Sequence, residues 1–370
     1  MVEILDYNEL FDEPDENIIN TEKILKIIDK SFGKTGSGIL LIKNTPNLES
    51  IRNNFFTNSQ KFINLNDDIK EKYTDMSSNF NFGWSRGKEH LKKNQPDTLK
   101  GSFYNNPFHD KKTHNYILKK KYPTLFNDNI WPGEDDAPGF EKSYKILGQL
   151  MCETMFKLIK YIDVYLNKIT DKKHEINKFY NLVTKSKSYK SRYLYYYPPP
   201  PNDNDNDNDN DSCAWHSDHG FLTSLCEPKY FNAKMPDDII DSNNIESGLE
   251  IIDTQNNLIK INIPENHLAI QIGETLQILS NGFLKATPHH VITQNLKNIS
   301  RNQFVTFCDI PYDYSMEIPD YGNDKKETLD NYININKMIL NNNIVKLSER
   351  YENCTYYHDF TNNCIKTYYK

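Results

Sequence analysis

The sequence lacks the long apolar runs that membrane-spanning helices require. No run approaches the roughly 18 apolar residues of a span, and the first ten residues contain no basic segment followed by an apolar core. Positive charge is also in deficit, with 44 lysines and arginines against 51 aspartates and glutamates, for a formal net charge of −7. Because nucleic acids and anionic membranes bind clustered basic residues, we expect neither as a partner and predict a cytoplasmic protein.

Cysteine is scarce, and the six residues do not occur in metal-binding or disulfide patterns. No Cys-x-x-Cys pair is present in this 370-residue chain, so neither a zinc ribbon nor a disulfide framework is indicated. We expect reduced thiols. The hydrophobic content of 37% is lean but sufficient for a core, in one large domain or two.

The most informative stretch runs from Cys213 to Leu225 and reads CAWHSDHGFLTSL. Residues two apart on a strand point to the same side, so His216 and Asp218 would offer an imidazole and a carboxylate to one point. Two histidines and one carboxylate on one face form the arrangement that holds non-haem Fe(II), although such a set also suits zinc. The third ligand would come from KATPHHVITQ, where His289 and His290 are adjacent and only one of them can face the metal.

These motifs and their order resemble the isopenicillin-N-synthase-like branch of the 2-oxoglutarate/Fe(II) dioxygenases. That branch has His-Thr-Asp-His-Gly, then a distant Ala-Thr-Pro-His-Arg-Val, then Arg-x-Ser. The resemblance implies His216, Asp218 and His289 as metal ligands, because the family's second histidine directly precedes the arginine that His290 replaces. His219 is expected to make an ordinary hydrogen bond.

The resemblance also implies the cofactors Fe(II), 2-oxoglutarate and O2. Arg301 in NISRNQFVTF matches the arginine that holds the distal carboxylate of 2-oxoglutarate, and its fork suits a carboxylate. The family's partner serine is replaced by Gln303, whose amide can still donate a hydrogen bond. The motif Asn-x-Tyr-Pro falls on 195–198, so Tyr197 is the expected contact to the other end of 2-oxoglutarate, and Tyr195 replaces the asparagine.

The substrate side of the site is the least specific part of the resemblance. Arg86, Tyr104 and Phe221 lie in segments that line the substrate pocket in relatives, so they are expected to line it here. The implied function is oxidation of an unidentified small organic molecule, by hydroxylation or desaturation, with release of succinate and CO2, and a monomer is expected. The alternatives are a non-catalytic jelly-roll protein that binds a metal or ligand, a 2-oxoglutarate-independent Fe(II) oxidase, and a zinc hydrolase.

The periodicity and the resemblance together predict a mainly β protein with flanking helices. A double-stranded β-helix, or jelly roll, would follow an α/β amino-terminal region at 1–135 and a supporting helix, whose apolar stripe runs from Phe140 to Leu166. The helix and jelly roll would occupy 136–310, and a helical or irregular extension 311–370. Residues 75–128 are expected to be mostly loop with short helical turns. The tract NDNDNDNDND at 202–211 predicts a disordered insertion, because it can bury nothing, and its spacing does not fit a calcium loop.

Overall fold

The computed structural model describes residues 2–88, 90–92, 95–96, 98–111, 116–198, 211–241, 245, 247–293, 296, 298–329 and 346–368. Residues 202–210 of the Asn/Asp tract lie outside this part, and Asp211 begins a strand. The predicted disorder of the tract therefore stays a prediction.

The secondary structure has the strand-rich content predicted from the sequence. The strands are β1 (Glu3–Asp6), β2 (Leu40–Lys43), β3 (Gly83–Arg86), β4 (His90–Lys92), β5 (Gln95–Pro96), β6 (Lys100–Asn105), β7 (Lys190–Tyr196), β8 (Asp211–His216), β9 (Leu222–Cys226), β10 (Lys229–Asn232), β11 (Met235–Ile240), β12 (Ser247–Ile252), β13 (Leu258–Ile261), β14 (His267–Ile272), β15 (His289–Thr293) and β16 (Ile299–Cys308). The helices are α1 (Ile18–Phe32), α2 (Leu48–Ile63), α3 (Asp67–Lys70), α4 (Tyr116–Lys121), α5 (Pro123–Phe126), α6 (Phe140–Ile169), α7 (Lys178–Lys185), α8 (Glu274–Leu279), α9 (Lys325–Thr328), α10 (Leu347–Tyr351) and α11 (Tyr357–Tyr368), with short 3-10 segments at Tyr7–Leu10 and Glu71–Tyr73.

Two facing sheets form the centre of the molecule. The larger has the order β1-β2-β14-β9-β16-β7-β6-β3, with β10 pairing to both β16 and β11, and the smaller has the order β13-β12-β15-β8. Apolar side chains from both sheets pack together between them, including Leu194, Leu225 and Val305 from the larger sheet and Ile251 and Val291 from the smaller. The predicted class, mainly β with flanking helices and a jelly-roll core, is confirmed.

The long helix α6 supports the outer face of the larger sheet. Its 30 residues bury the stripe that the sequence predicts, and it continues to Ile169, three residues past Leu166. The Tyr144 hydroxyl donates to the carbonyl oxygen of Ser191 in β7, and its ring lies 4.9 Å from that of Phe304 in β16. These contacts hold the two central strands of the sheet from behind.

The amino-terminal region shares this sheet and its core. Strand β1 pairs in parallel with β2, and β2 pairs antiparallel with β14, so the region extends the larger sheet at one edge. Helix α1 starts at the Asn17 cap, whose side-chain oxygen accepts from the Asn20 amide at 3.1 Å. One buried cluster contains residues from the amino-terminal region, the jelly roll and the carboxy-terminal extension. The division at 135 and 310 stays a prediction.

Residues 75–128 contain the short helical segments that the sequence predicts, α4 and α5, but also strands that it does not predict. Strands β3 and β6 complete the other edge of the larger sheet, with Gly83 opposite Tyr104 and Arg86 opposite Gly101. The sequence KGSFYN lacks the β-branched residues that indicate a strand. Its glycine is explained by the neighbouring strand, because a Cβ at Gly101 would lie 2.1 Å from the ring of Trp84.

The carboxy-terminal extension, expected to be helical or irregular, contains the short helices α9, α10 and α11 in its described part. Residues 330–345 lie outside that part. None of the helices in the described residues has the length and apolar character that a bilayer crossing needs.

Candidate metal centre

Strands β8 and β15 bring two histidines side by side. The strands pair antiparallel, and His289 is the register partner of His216, with ring centroids 4.3 Å apart. Asp218 follows two residues after His216, just beyond the end of β8. One ligand atom from each of the three side chains lies within 4.8 Å of the others. The structure thus brings together the three residues that the sequence indicates, although they are separated by up to 73 positions in the chain.

Hydrogen bonds aim two of these side chains at their common point. The Nδ1 atom of His289 lies 3.0 Å from the carbonyl oxygen of Thr287, to which it can only donate, so the lone pair of Nε2 remains available. The Thr223 hydroxyl donates to Oδ2 of Asp218 at 2.6 Å, and Oδ1 lies 3.8 Å from Nε2 of His216. Each partner fixes a rotamer and leaves an atom for a metal ion.

The protonation states also suit a divalent cation. Burial lowers the pKa of His289 to about 4, and the nearby His216 adds to the effect, so the imidazole is neutral at pH 7. Burial opposes ionisation of Asp218, but the adjacent His289 and His216 and the Thr223 hydrogen bond outweigh it, and its pKa lies below the usual value. A neutral imidazole and a carboxylate are the forms in which these groups ligate metals.

Of the two adjacent histidines, only His289 faces this group. The ring of His290 stacks on Trp215, with centroids 3.8 Å apart, and its Nε2 lies 3.0 Å from the Glu250 carboxylate. His290 therefore points to the opposite side of β15, as strand alternation requires. His219 is not one of the three grouped residues, and its carbonyl oxygen accepts from the Thr275 hydroxyl at 2.7 Å.

A cavity of about 830 Å³ lies between the sheets, and the three residues stand in its wall. Arg301 in β16 lines the same cavity and is 2% exposed. Its Nη2 donates to the Gln303 side chain at 2.8 Å, whereas Nε and Nη1 are buried without a hydrogen-bond partner among the described residues. A buried guanidinium with unsatisfied N–H groups is costly unless an anion pairs with it. The cavity is therefore chemically suited to a carboxylate at this position.

Gln303 orients Arg301 and does not offer a donor to a ligand. Its amide nitrogen donates to the carbonyl oxygens of Cys226 at 2.6 Å and of Phe304 at 3.2 Å, and its amide oxygen accepts from Arg301. Both halves of the amide are thus used inside the protein. In this arrangement no amide donor of Gln303 is left for the expected contact to 2-oxoglutarate.

The structure places Tyr196 beside Arg301, in the place where the motif leads us to expect Tyr197. Strand β7 ends at Tyr196, whose ring lies 5.2 Å from the Arg301 guanidinium and which lines the cavity. Tyr197 packs on the other side of the chain, under the Arg86 guanidinium at 3.7 Å. Alignment of the motif on Pro198 selects Tyr197, one residue after the tyrosine that faces the cavity. A shift of one residue exchanges the two faces of a strand.

The three expected substrate-pocket residues do not line the cavity. Phe221 is fully buried and packs against Phe179, with ring centroids 5.2 Å apart. Tyr104 lies behind Arg192, whose guanidinium is 4.7 Å from its ring, and Arg86 stacks on Tyr197. The cavity wall contains instead Arg192, Thr223, Leu225, Val305 and Phe307. Stepping by two along β16 from Arg301 would have found Val305 and Phe307.

The family comparison agrees with this geometry. Residues 188–309 match the family model described as the 2OG-Fe(II) oxygenase superfamily, a range that contains all three grouped residues and Arg301. Residues 188–309 thus carry a domain of the 2-oxoglutarate/Fe(II) oxygenase superfamily. The resemblance seen in the sequence is confirmed, and with it an enzyme that uses Fe(II), 2-oxoglutarate and O2.

Solved structures show how far the fold of this oxygenase is shared. A putative 2OG-Fe(II) oxygenase family protein from Caulobacter crescentus superimposes with a TM-score of 0.70 at 17% identity, covering 99% of this chain and 98% of that one. A full-length protein of Neurospora crassa, solved in complex with alpha-KG, gives 0.65 at 20% identity, covering 88% and 90%. JOX2 in complex with 2OG, Fe and JA gives 0.59 at 16% identity, covering 88% and 79%. The search of curated proteins finds no match.

Proposed function

We propose that His216, Asp218 and His289 hold the Fe(II) of this oxygenase, and that Arg301 binds the distal carboxylate of 2-oxoglutarate. The observation that carries the proposal is the buried guanidinium of Arg301, which has two unpartnered nitrogens, among the described residues, in the same cavity as the three ligand side chains. A dicarboxylate that reaches from the metal to Arg301 would satisfy both ends of this arrangement.

Fe(II) and 2-oxoglutarate supply the oxidation when bound, with O2 consumed and 2-oxoglutarate converted to succinate and CO2. The chain's own residues bind these cofactors and orient the side chains that hold them. Thr287 and Thr223 fix the rotamers of His289 and Asp218, and Gln303 holds one end of the Arg301 guanidinium. The apolar side chains of the cavity wall exclude water from the space between them, among them Leu225, Leu249, Val291 and Val305.

The substrate proposed for this site is a small organic molecule, which is hydroxylated or desaturated. The cavity volume of about 830 Å³ is in the range that accommodates a small ligand beside 2-oxoglutarate. Structures of similar fold support this class, since the Neurospora crassa protein has been solved with thymine and with 5-formyluracil, and JOX2 with JA.

We further propose that the protein acts as a cytoplasmic monomer without a nucleic-acid partner. The five cysteines whose side chains the structure describes are free thiols, which supports a reducing compartment. The net charge of −7 argues against binding to a phosphate backbone.

The experiment for the metal site uses the adjacent histidines as a matched pair. Fe(II) binding is measured anaerobically by calorimetry for wild type, His289→Ala and His290→Ala. His289→Ala should lose binding, whereas His290→Ala should retain it, because His290 stacks on Trp215 away from the site. Asp218→Ala should behave as His289→Ala does. Equal loss in both histidine variants, or unchanged affinity in His289→Ala, would remove this ligand assignment.

A further inference from the structure

The loop that carries Asp218 is fixed by the start of helix α8. The bonds are Glu274 N to Asp218 O (2.8 Å), Thr275 Oγ1 to His219 O (2.7 Å), Thr275 N to Gly220 O (3.1 Å) and Gly273 N to Phe221 O (3.1 Å). The four successive carbonyl oxygens of residues 218–221 therefore all accept hydrogen bonds from residues 273–275. The contact is close, because a Cβ at Gly273 would lie 2.1 Å from the carbonyl oxygen of Gly220.

Helix α8 is in turn held by the carboxy-terminal extension at both of its ends. At the start of α8, Arg350 in α10 forms a two-pronged ion pair with Glu274, with Nη1 and Nη2 each 2.5 Å from one carboxylate oxygen. At the other end, the Gln277 amide donates to the carbonyl oxygen of Thr328 at 2.8 Å, and the Asn281 amide donates to its hydroxyl at 2.9 Å.

The ion pair is almost completely withdrawn from water. The Glu274 side chain is 0% exposed and that of Arg350 is 2% exposed, and Nη1 of Arg350 also lies 3.2 Å from the Cys364 sulfur in α11. Burial of two charges is costly, and only a fork-to-fork geometry of this quality offsets the cost. Apolar packing of equal volume would stabilise the fold as well, so stability alone does not account for a charged pair here.

We propose that Arg350 and Glu274 are positioning residues for the metal centre. The pair fixes α8, α8 fixes the backbone of residues 218–221, and this backbone sets where the Asp218 carboxylate stands relative to His216 and His289. The inference rests on the proposed function, since it takes Asp218 as a metal ligand. It assigns the carboxy-terminal extension a role in Fe(II) affinity as well as in folding.

Three variants separate the effect of an unpaired buried charge on stability from the effect of a misplaced Asp218 on Fe(II) binding. Arg350→Leu leaves the Glu274 carboxylate buried without its partner, so it should lower Tm strongly and weaken Fe(II) binding. Glu274→Met/Arg350→Met replaces both charges with flexible apolar side chains, so most of the stability should be retained. The double variant should still bind Fe(II) about tenfold or more weakly than wild type, as is typical when residues that support ligands are removed. Arg350→Lys keeps the positive charge but loses the two-pronged contact, so its Fe(II) affinity should lie between that of wild type and that of the double variant.

The control is a core substitution of comparable Tm loss away from the loop. Phe62→Leu in α2 serves, because Phe62 is fully buried against Trp84, Phe103 and Phe140. Fe(II) affinity is measured by anaerobic calorimetry well below the Tm of every variant. The proposal predicts an unchanged Kd for Phe62→Leu.

The outcomes distinguish this inference from the proposed function. A wild-type protein that binds no Fe(II) would overturn the proposed function itself. Wild-type affinity in the folded double variant would overturn only the positioning role, as would an equal loss of affinity in Phe62→Leu. If Arg350→Leu does not fold, the double variant and Arg350→Lys decide the question.

Discussion

Replacement of Arg301 by methionine tests the cofactor site most sharply. The substitution keeps an unbranched, buried side chain but removes the guanidinium, whose Nε and Nη1 have no hydrogen-bond partner in the described part of the chain. Loss of a desolvated charged contact to a carboxylate costs about 2 to 5 kcal/mol. The Kd for 2-oxoglutarate should therefore rise by about thirty-fold at the least.

The assay is anaerobic calorimetry of 2-oxoglutarate binding to the Fe(II)-loaded protein. Arg86→Met is the matched control, because this arginine stacks on Tyr197 outside the cavity. Iron loading is measured in each variant, so that a loss of Fe(II) is separated from a loss of the contact between Arg301 and 2-oxoglutarate. If Arg301→Met binds 2-oxoglutarate as tightly as Arg86→Met does, the assignment of Arg301 to the distal carboxylate is refuted.

Single features of the structure give three further predictions. Gln303→Leu should weaken 2-oxoglutarate binding by about tenfold without abolishing it, because it removes the hydrogen bond of about 1.5 kcal/mol that holds Arg301, and calorimetry would detect this. Lys190→Met should raise Tm at pH 7, because burial disfavours the charged ammonium and lowers the folded-state pKa of Lys190 to about 8. Wild-type stability therefore rises with pH between about 8 and the higher pKa of the unfolded chain, and the Tm difference between the variant and wild type should shrink over that window. Excision of residues 202–210 with retention of Asp211, where β8 begins, should leave Tm within a few degrees of wild type, as judged by thermal scans.

The sequence carries strong information about the jelly roll and about which three side chains are grouped in the candidate metal centre, because both depend on strand alternation. His216 and Asp218 are two apart, and His289 differs from His290 by the face of one strand. The sequence does not settle which tyrosine at the end of β7 faces the cavity. The motif favours Tyr197 over Tyr196 because its reference point is the run of prolines, whereas the strand ends one residue before Tyr197.

Other features have no local signal. Strand β6 contains Gly101 because the Trp84 ring covers this position, and that contact exists only in the folded sheet. The Glu274 and Arg350 pair joins residues 76 positions apart, and neither stands in a recognisable motif. Phe221 lies outside the cavity wall for a related reason, since it is close to Asp218 in sequence but packs into the core under α7.

We propose that this chain, a 2-oxoglutarate-dependent Fe(II) oxygenase, holds its metal through His216, Asp218 and His289. The most direct measurement is succinate release by purified protein supplied with Fe(II), 2-oxoglutarate and O2, first without an added substrate and then with a panel of small organic molecules. The account predicts slow succinate formation that requires both Fe(II) and 2-oxoglutarate and that is lost in Asp218→Ala but kept in His290→Ala. Succinate release by Asp218→Ala at the wild-type rate, or no binding of 2-oxoglutarate to the wild-type Fe(II) protein at millimolar concentration, would contradict it.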